Sequence, residues 1–279
     1  MTDEGWFAGL DPEDRAGAVA RIREGRADAP ADWPAVAVED DYAGDQDEYY
    51  DRLHEVTIAA AREAAGERER AADRQLVHAV RAMDDCREQA NELAERLSEW
   101  AGSLDEDAGA GVSYARELAA QEPDAAADRQ VVSLARRVVG LADEADDLQA
   151  YVETTAPDVA PNLSMLAGPV LAARLISLAG GLESLAKKPS GTVQVLGAED
   201  ALFAHLRGTA PSPKHGIIYT HDAVRGTRRE ERGSAARALA GKLSIAARID
   251  HYSGDRRPDL QAELDDRIET IQARGEDDE

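Results

Sequence analysis

Two apolar seams in heptad register, separated by a stretch that cannot stay helical, constrain the fold of this chain most. In the first, Leu76, Met83, Ala90 and Leu97 recur every seven residues, and Ala79, Cys86, Leu93 and Trp100 follow each by three. Those spacings mark the a and d positions of a coiled coil. Helix propensity then collapses at Gly102 and again through Asp107-Ala108-Gly109-Ala110-Gly111. A short helical piece from Tyr114 to Gln121 and then Pro123 complete the break. The second seam, Val131, Leu134, Val138, Leu141, Ala145, Leu148 and Val152, alternates spacings of three and four. Two such seams joined by a Gly/Asp/Pro tip predict an antiparallel helical hairpin over residues 56–158. At ~1.5 Å per residue it extends on the order of 40 Å. Cys86 lies on the seam, where a small core residue accounts for it better than a nucleophile. Ala71, Ala72, Ala82 and Ala142 flank the seams and leave room for a second hairpin. Self-association is therefore expected along the coil whose seam holds Leu76, Met83, Leu93, Leu97, Leu134, Val138, Leu141 and Leu148.

The chain on either side of the hairpin reads differently. Residues 1–55 mix short apolar runs (Trp6-Phe7, Val36-Ala37-Val38) with Pro30, Pro34 and acidic turns, which predicts a small α/β module. Residues 159–274 read as an all-helical domain, and 275–279 as an acidic tail. Within that domain the run from Leu163 to Leu185 is apolar on nearly all sides and so is core. Pro189-Ser190-Gly191-Thr192 breaks it, a short apolar run Val193-Gln194-Val195-Leu196 follows, and a helix is expected from Asp200 to Leu206. A loop with Pro211 and Pro213 delivers Lys214-His215-Gly216 and a strand-like Ile217-Ile218-Tyr219. A long helix from about Glu230 to Tyr252 and a last helix after Pro258 close the domain. The fold class is thus mainly α.

Charge separates the segments more sharply than hydropathy does. The chain of 279 residues carries a net charge of −24 with only four lysines, Lys187, Lys188, Lys214 and Lys242. All four fall between residues 161 and 257, where 4 Lys and 10 Arg face 8 Asp and Glu, a net of +6. The remainder carries −30. Acidity with Lys largely replaced by Arg is the composition of a protein adapted to molar salt, where the Debye length falls to ~3 Å. Steering at a distance is then nearly abolished, and a polyanion must be held by direct hydrogen bonds, stacking and shape. The N-terminal Met1-Thr2-Asp3-Glu4 has no basic region followed by an apolar run, and no window approaches 18 uninterrupted apolar residues. A soluble, cytoplasmic chain without membrane partners is expected.

Three features of the cationic domain suit phosphates and unpaired bases. Ser190, Gly191 and Thr192 offer two hydroxyls beside a backbone that a phosphate can approach. Lys214 supplies a cation, and His215 a planar ring able to stack on a base. Arg232, Arg237 and Lys242, successively five apart, share one broad side of the long helix. Solubilising charge is the ordinary fate of such residues. Yet a chain so poor in lysine places Lys242 between Gly241 and Leu243, which favours binding. Arg225, Arg228 and Arg229 read as a solvated loop, and Arg174 and Arg248 as structural pairs or ligands. The order His205, His221-Asp222, Asp250 matches metal-dependent phosphohydrolases, but chance produces it often and no metal site is assigned. None of the phosphate-loop, dinucleotide, zinc-protease or nucleophile-elbow motifs is present, so no catalytic residue and no cofactor are expected.

Several short motifs in one order resemble a known family. Ala160-Pro161-Asn162-Leu163, Ala173-Arg174-Leu175-Ile176, Leu185-Ala186-Lys187, Leu196-Gly197-Ala198-Glu199, Pro213-Lys214-His215-Gly216 and Ile245-Ala246-Ala247-Arg248-Ile249-Asp250 look like a Nop domain. The hairpin ending in Glu95-Arg96-Leu97-Ser98-Glu99-Trp100 is similar to the coiled coil of the same proteins. The resemblance covers about residues 73–252 and is to archaeal Nop-family core proteins of box C/D guide ribonucleoproteins. It implies a non-catalytic scaffold that dimerises through its coiled coil. It implies three further partners: a box C/D guide RNA, a small kink-turn-binding protein gripped jointly with that RNA, and the methyltransferase fibrillarin, held through the N-terminal segment. Such particles direct 2′-O-methylation of ribosomal and transfer RNA. The family's RNA-facing positions fall on Gly191, Lys214, His215, Arg237 and Lys242. This chain departs from the family at Asp200, where Lys is common, and at Ser234, where Arg-Gly-Lys is replaced by Arg232-Gly233-Ser234. The segment before the coil is also shorter than usual. The reading kept beside this one is a protein-only dimerisation adaptor whose basic domain docks an acidic partner.

Overall fold

The computed structural model describes residues 5–25 and 31–273, all of whose regular elements are helical. The acidic tail lies outside them. The chain divides into two compact units, Met1–Ala71 and Ala72–Glu279.

In the first unit α2 (Trp33–Glu39) and α3 (Gln46–Arg70) pack around an aromatic cluster of Phe7, Tyr42 and Tyr49, with Trp6 against it, and α1 (Arg15–Glu24) packs on α3 through Ala18, Val19, Val56 and Ala60. Phe7 stacks on Tyr42 with centroids 5.4 Å apart. The expected α/β module is corrected here: the described residues contain no strand. Val36-Ala37-Val38 lies in α2, begun by Trp33-Pro34, whose proline fits a first helical turn. Residues 56–70, grouped with the hairpin on sequence, continue α3 and belong to the first unit.

The second unit is built on α4 (Ala72–Gly102) and α6 (Ala126–Val159), with α5 (Gly111–Ala119) packed against them near the tip. At 31 residues α4 is about 46 Å long. Asp128 accepts the Ala125 N–H (3.1 Å) at the entrance to α6, satisfying one donor there. The a positions Leu76, Met83, Ala90 and Leu97 are buried as expected. Of their expected partners Ala79 is buried too, while Leu93 is half-buried and Trp100 is 40% exposed, with Ala94 and Ala101 buried one residue further on. On α6 the expected positions Val131, Val138, Ala145 and Val152 are buried, together with Val132, Ala135 and Ala156, while Leu134, Leu141 and Leu148 are half-buried. One layer is polar: the Arg87 guanidinium donates to the Gln149 side chain. Cys86 is half-buried with its thiol free.

At its base the hairpin core runs directly into the C-terminal helices. Leu76, Met83, Val152 and Ala156 share one buried cluster with Leu163, Ile176, Ile218, Leu239 and Leu243. Around that core lie α7 (Pro161–Ala167), α8 (Pro169–Ala179), α9 (Leu182–Lys187), α10 (Ser190–Val195), α11 (Glu199–Leu206), α12 (Asp222–Arg225), α13 (Arg232–Tyr252) and α14 (Asp259–Ala273). Gly180 and Gly181, at φ 90° and 126°, make the turn from α8 to α9 that a side chain would strain. Arg174 pairs with Asp84 and Arg81 donates to Ser177 (3.0 Å), tying α8 to α4. Among the described residues no single helix is long and apolar enough to cross a membrane.

The α13–α7 junction is held by one carboxylate. Asp250 accepts from Asn162 N (3.0 Å), Asn162 Nδ2 (2.6 Å) and Leu163 N (2.8 Å), while Asn162 Oδ1 accepts from Arg257 N (2.7 Å). Asn162 is 1% exposed, so donors left without an acceptor there are desolvated. Asp250→Ala is expected to destabilise the protein by ~3 kcal/mol, with Asp250→Asn recovering part of the loss. Denaturant midpoints of the three proteins decide it, and an unchanged midpoint for the alanine variant would refute this account.

Candidate nucleic-acid interface

The first turn of α10, the loop before Ile217 and the first turns of α13 enclose an open cleft of about 480 Å³. Gly191, Gln194 and Val195 line it from α10, Ser212, Pro213 and Lys214 from the loop, Glu230 from the turn before α13, and Gly233, Ser234 and Arg237 from α13. Two expectations about this region are corrected. Ser190-Gly191-Thr192 is not a loop but the start of α10, which absorbs the apolar run as well. Ile217–Thr220 is a 3₁₀ turn and not a strand. Short apolar runs do not distinguish helix from strand by pattern alone.

The lysine loop is fixed by backbone contacts. Gly216 N donates to Gln194 O (2.8 Å) and Ile217 N to Leu196 O (2.7 Å). The Gln194 side chain adds a bond from Nε2 to Lys214 O (2.7 Å). A Cβ at Gly216 would stand 1.9 Å from Leu196 O, so only glycine permits this approach. The exposed Lys214 ammonium and Arg237 guanidinium have no carboxylate partner among the described residues. These two cations face one space.

The other expected residues divide. Gly191 lines the cleft, while Ser190 and Thr192 are exposed on the same turn without lining it. His215 is half-buried, its ring stacked on Tyr219 at 4.6 Å. Burial and then Arg232, with Lys214 adding to it, hold its pKa below the ordinary imidazole value, so the ring is neutral at pH 7. Arg232 does not present its charge to the cleft. Its guanidinium sits over the Tyr219 ring (5.4 Å) and donates through Nε to Thr227 O (3.0 Å). Lys242 forms an ion pair with Glu263 of α14 and lies outside the cleft. Arg232 and Lys242 thus have partners within the chain: one braces the stack and the other bridges two helices.

Gln194, Ser212 and Glu230 line the cleft without having been singled out by sequence, and Ser234, noted only as a departure from the family pattern, lines it too. A helical reading of residues 190–195 places Gln194 one turn after Gly191, and Ser234 lies three before Arg237. The His/Asp series does not converge. His205 Nδ1 lies 3.1 Å from Ala210 O, His221 Nε2 lies 2.9 Å from Leu166 O, Asp222 pairs with Arg225, and Asp250 is held by Asn162. No group of three or more His, Cys, Asp or Glu able to hold a metal is found among the described residues.

Comparison with known proteins agrees with this architecture. The Nop family profile, described as "snoRNA binding domain, fibrillarin", matches residues 72–272. An uncharacterized NOP5 family protein of Methanocaldococcus jannaschii is 49% identical over 141 residues, covering 50% of this chain and 34% of the relative. Nucleolar protein 56 of Saccharomyces cerevisiae is 41% identical over 160 residues, covering 56% and 32%. The matched segments span about a third of those relatives' length. A chain in the crystal structure of a fibrillarin/Nop5p complex has the same fold, with a TM-score of 0.55 at 24% identity, covering 97% of this chain and 100% of that one. With the profile matched from the first residue of the hairpin into the last helix, this chain belongs to the Nop family.

Proposed function

We propose that this protein is the scaffold subunit of a box C/D guide ribonucleoprotein in the cytoplasm of a salt-adapted cell. It binds a kink-turn RNA together with a small kink-turn-binding protein, and it holds fibrillarin, which methylates ribosomal or transfer RNA at 2′-oxygens. The scaffold contributes no catalytic residue, and a second copy associates along its coil. The observation that carries this reading is the cleft where Lys214 and Arg237 stand unpaired. In a chain of net charge −24, two neighbouring cations without carboxylate partners make an anion site. The backbone bonds that fix the Lys214 loop give the site the rigidity that recognition by shape requires in molar salt. Membership of the Nop family supports RNA and fibrillarin as partners.

The full chain is expected to bind a kink-turn RNA carrying its small protein at least tenfold more tightly than the same RNA with the kink abolished by base substitution. Fluorescence anisotropy at one fixed molar salt concentration measures both. Equal affinities would leave the adaptor that docks an acidic protein as the better reading.

A further inference from the structure

Three of the chain's four lysines lie outside the cleft, and two of them are adjacent. Lys187 ends α9 and Lys188 follows it, one proline before α10, whose first turn lines the cleft. The Arg248 side chain ties this corner to α13, donating through Nε to Ala186 O (3.1 Å) and through an η nitrogen to Lys188 O (3.3 Å). Along α13, residues Ser234, Arg237, Gly241, Ile245, Arg248 and Tyr252 recur at intervals of three and four, so they share one face. That face begins in the cleft and ends at Tyr252, which is 67% exposed, with Ile245 41% exposed between them. His251 packs edge-on against Tyr252 at 4.5 Å. Lys187 donates to Glu183, and Tyr252 lies near enough to influence the same ammonium. Lys188 has no carboxylate partner among the described residues. The nearby carboxylates are committed, Glu183 to Lys187 and Asp250 to Asn162.

We propose that this face of α13, with Lys187 and Lys188 beside it, is a second contact surface for RNA, continuous with the cleft and built for an unpaired strand. The proposal rests on the cleft reading above and extends it. From Ser234 to Tyr252 the face is about 27 Å long at ~1.5 Å per residue. At ~3.4 Å per phosphate of a stacked strand, it covers about eight nucleotides. Gly241 has no side chain and leaves open space above it, so the strand lies close to the helix there. Ile245 and Tyr252 offer apolar and aromatic faces to bases, whereas a duplex would present only its backbone. The ammonium of Lys188 meets phosphate, and Arg248 holds its backbone in place.

The test uses the full chain and a kink-turn RNA loaded with its small protein. The RNA is made blunt, or with an eight-adenosine overhang at its 5′ or its 3′ end. Lys188→Ala combined with Tyr252→Ala is expected to weaken binding of one overhang RNA about tenfold and to leave the blunt RNA within twofold. Equal losses on all three RNAs, or none, would overturn the proposal. So would loss of poly-glutamate binding without any overhang effect, which would assign the surface to an acidic polypeptide. Lys214→Ala with Arg237→Ala is expected to weaken all three RNAs. Were it to weaken none, the cleft reading would fall, while the difference between overhang and blunt RNA would still decide this one.

Discussion

Replacing Lys214 and Arg237 together with alanine is expected to lower affinity for the loaded kink-turn RNA about a hundredfold, with the helical hairpin and its self-association unchanged. Each side chain is exposed, lines the same cleft and is unpaired in the described structure. Removing it leaves no buried partner behind and disturbs no internal bond. The loss therefore reports the contact with RNA. A hydrogen bond with one ionised partner contributes about 1.5 kcal/mol or more, and two such losses multiply to roughly a hundredfold. Lys242→Ala on the same helix is the internal control. Its ammonium pairs with Glu263, so the change is expected to affect the α13–α14 contact and to move RNA affinity less than threefold. Anisotropy titrations of both variants at matched salt, with circular dichroism for helicity, distinguish these outcomes. An unchanged affinity in the double variant would remove the cleft from the interface.

The contrast between Arg237 and Lys242 shows what the sequence made legible. Spacing put both on one side of α13, and the charge inversion between residues 161 and 257 made that side a candidate. Only the fold reveals that α14 returns along α13 and places Glu263 against Lys242. Pairing across 21 residues has no local signature. Arg232 likewise has partners that spacing does not show, since backbone carbonyls and an aromatic ring engage its guanidinium. The hairpin was more legible, since its period is local. Its a positions are buried, whereas Leu93, Leu134, Leu141 and Leu148 are only half-buried. Large apolar residues attract assignment to a core, but here Ala94 and Ala135 are buried beside the half-buried Leu93 and Leu134. One departure from the family pattern also gains a location: Ser234 lines the cleft, whose cationic lining residues are Lys214 and Arg237.

Gly216→Ala is expected to abolish most of the same binding without touching a charged group. The alanine Cβ would fall 1.9 Å from Leu196 O and 2.7 Å from the carbonyl carbons of Val195 and Leu196. All three atoms are backbone, so no rotamer relieves the clash and the two segments must separate. Separation breaks the bonds from Gly216 N to Gln194 O and from Ile217 N to Leu196 O, and with them the register that sets Lys214 and His215 beside α10. Two backbone bonds lost with local repacking destabilise the protein by ~3 kcal/mol, and the displaced lysine loop forfeits its part of the RNA contact. A double-mutant cycle isolates the second effect from the first. If Gly216 acts by holding Lys214 in place, adding Lys214→Ala to the glycine variant costs little further affinity, although Lys214→Ala alone costs about tenfold. Gly140→Ala, in α6 away from the cleft, serves as the folding control, since a Cβ there meets nothing within 4 Å. Fully additive losses from Gly216→Ala and Lys214→Ala would show that the glycine stabilises the domain without positioning the cation, and would separate the backbone ladder from recognition.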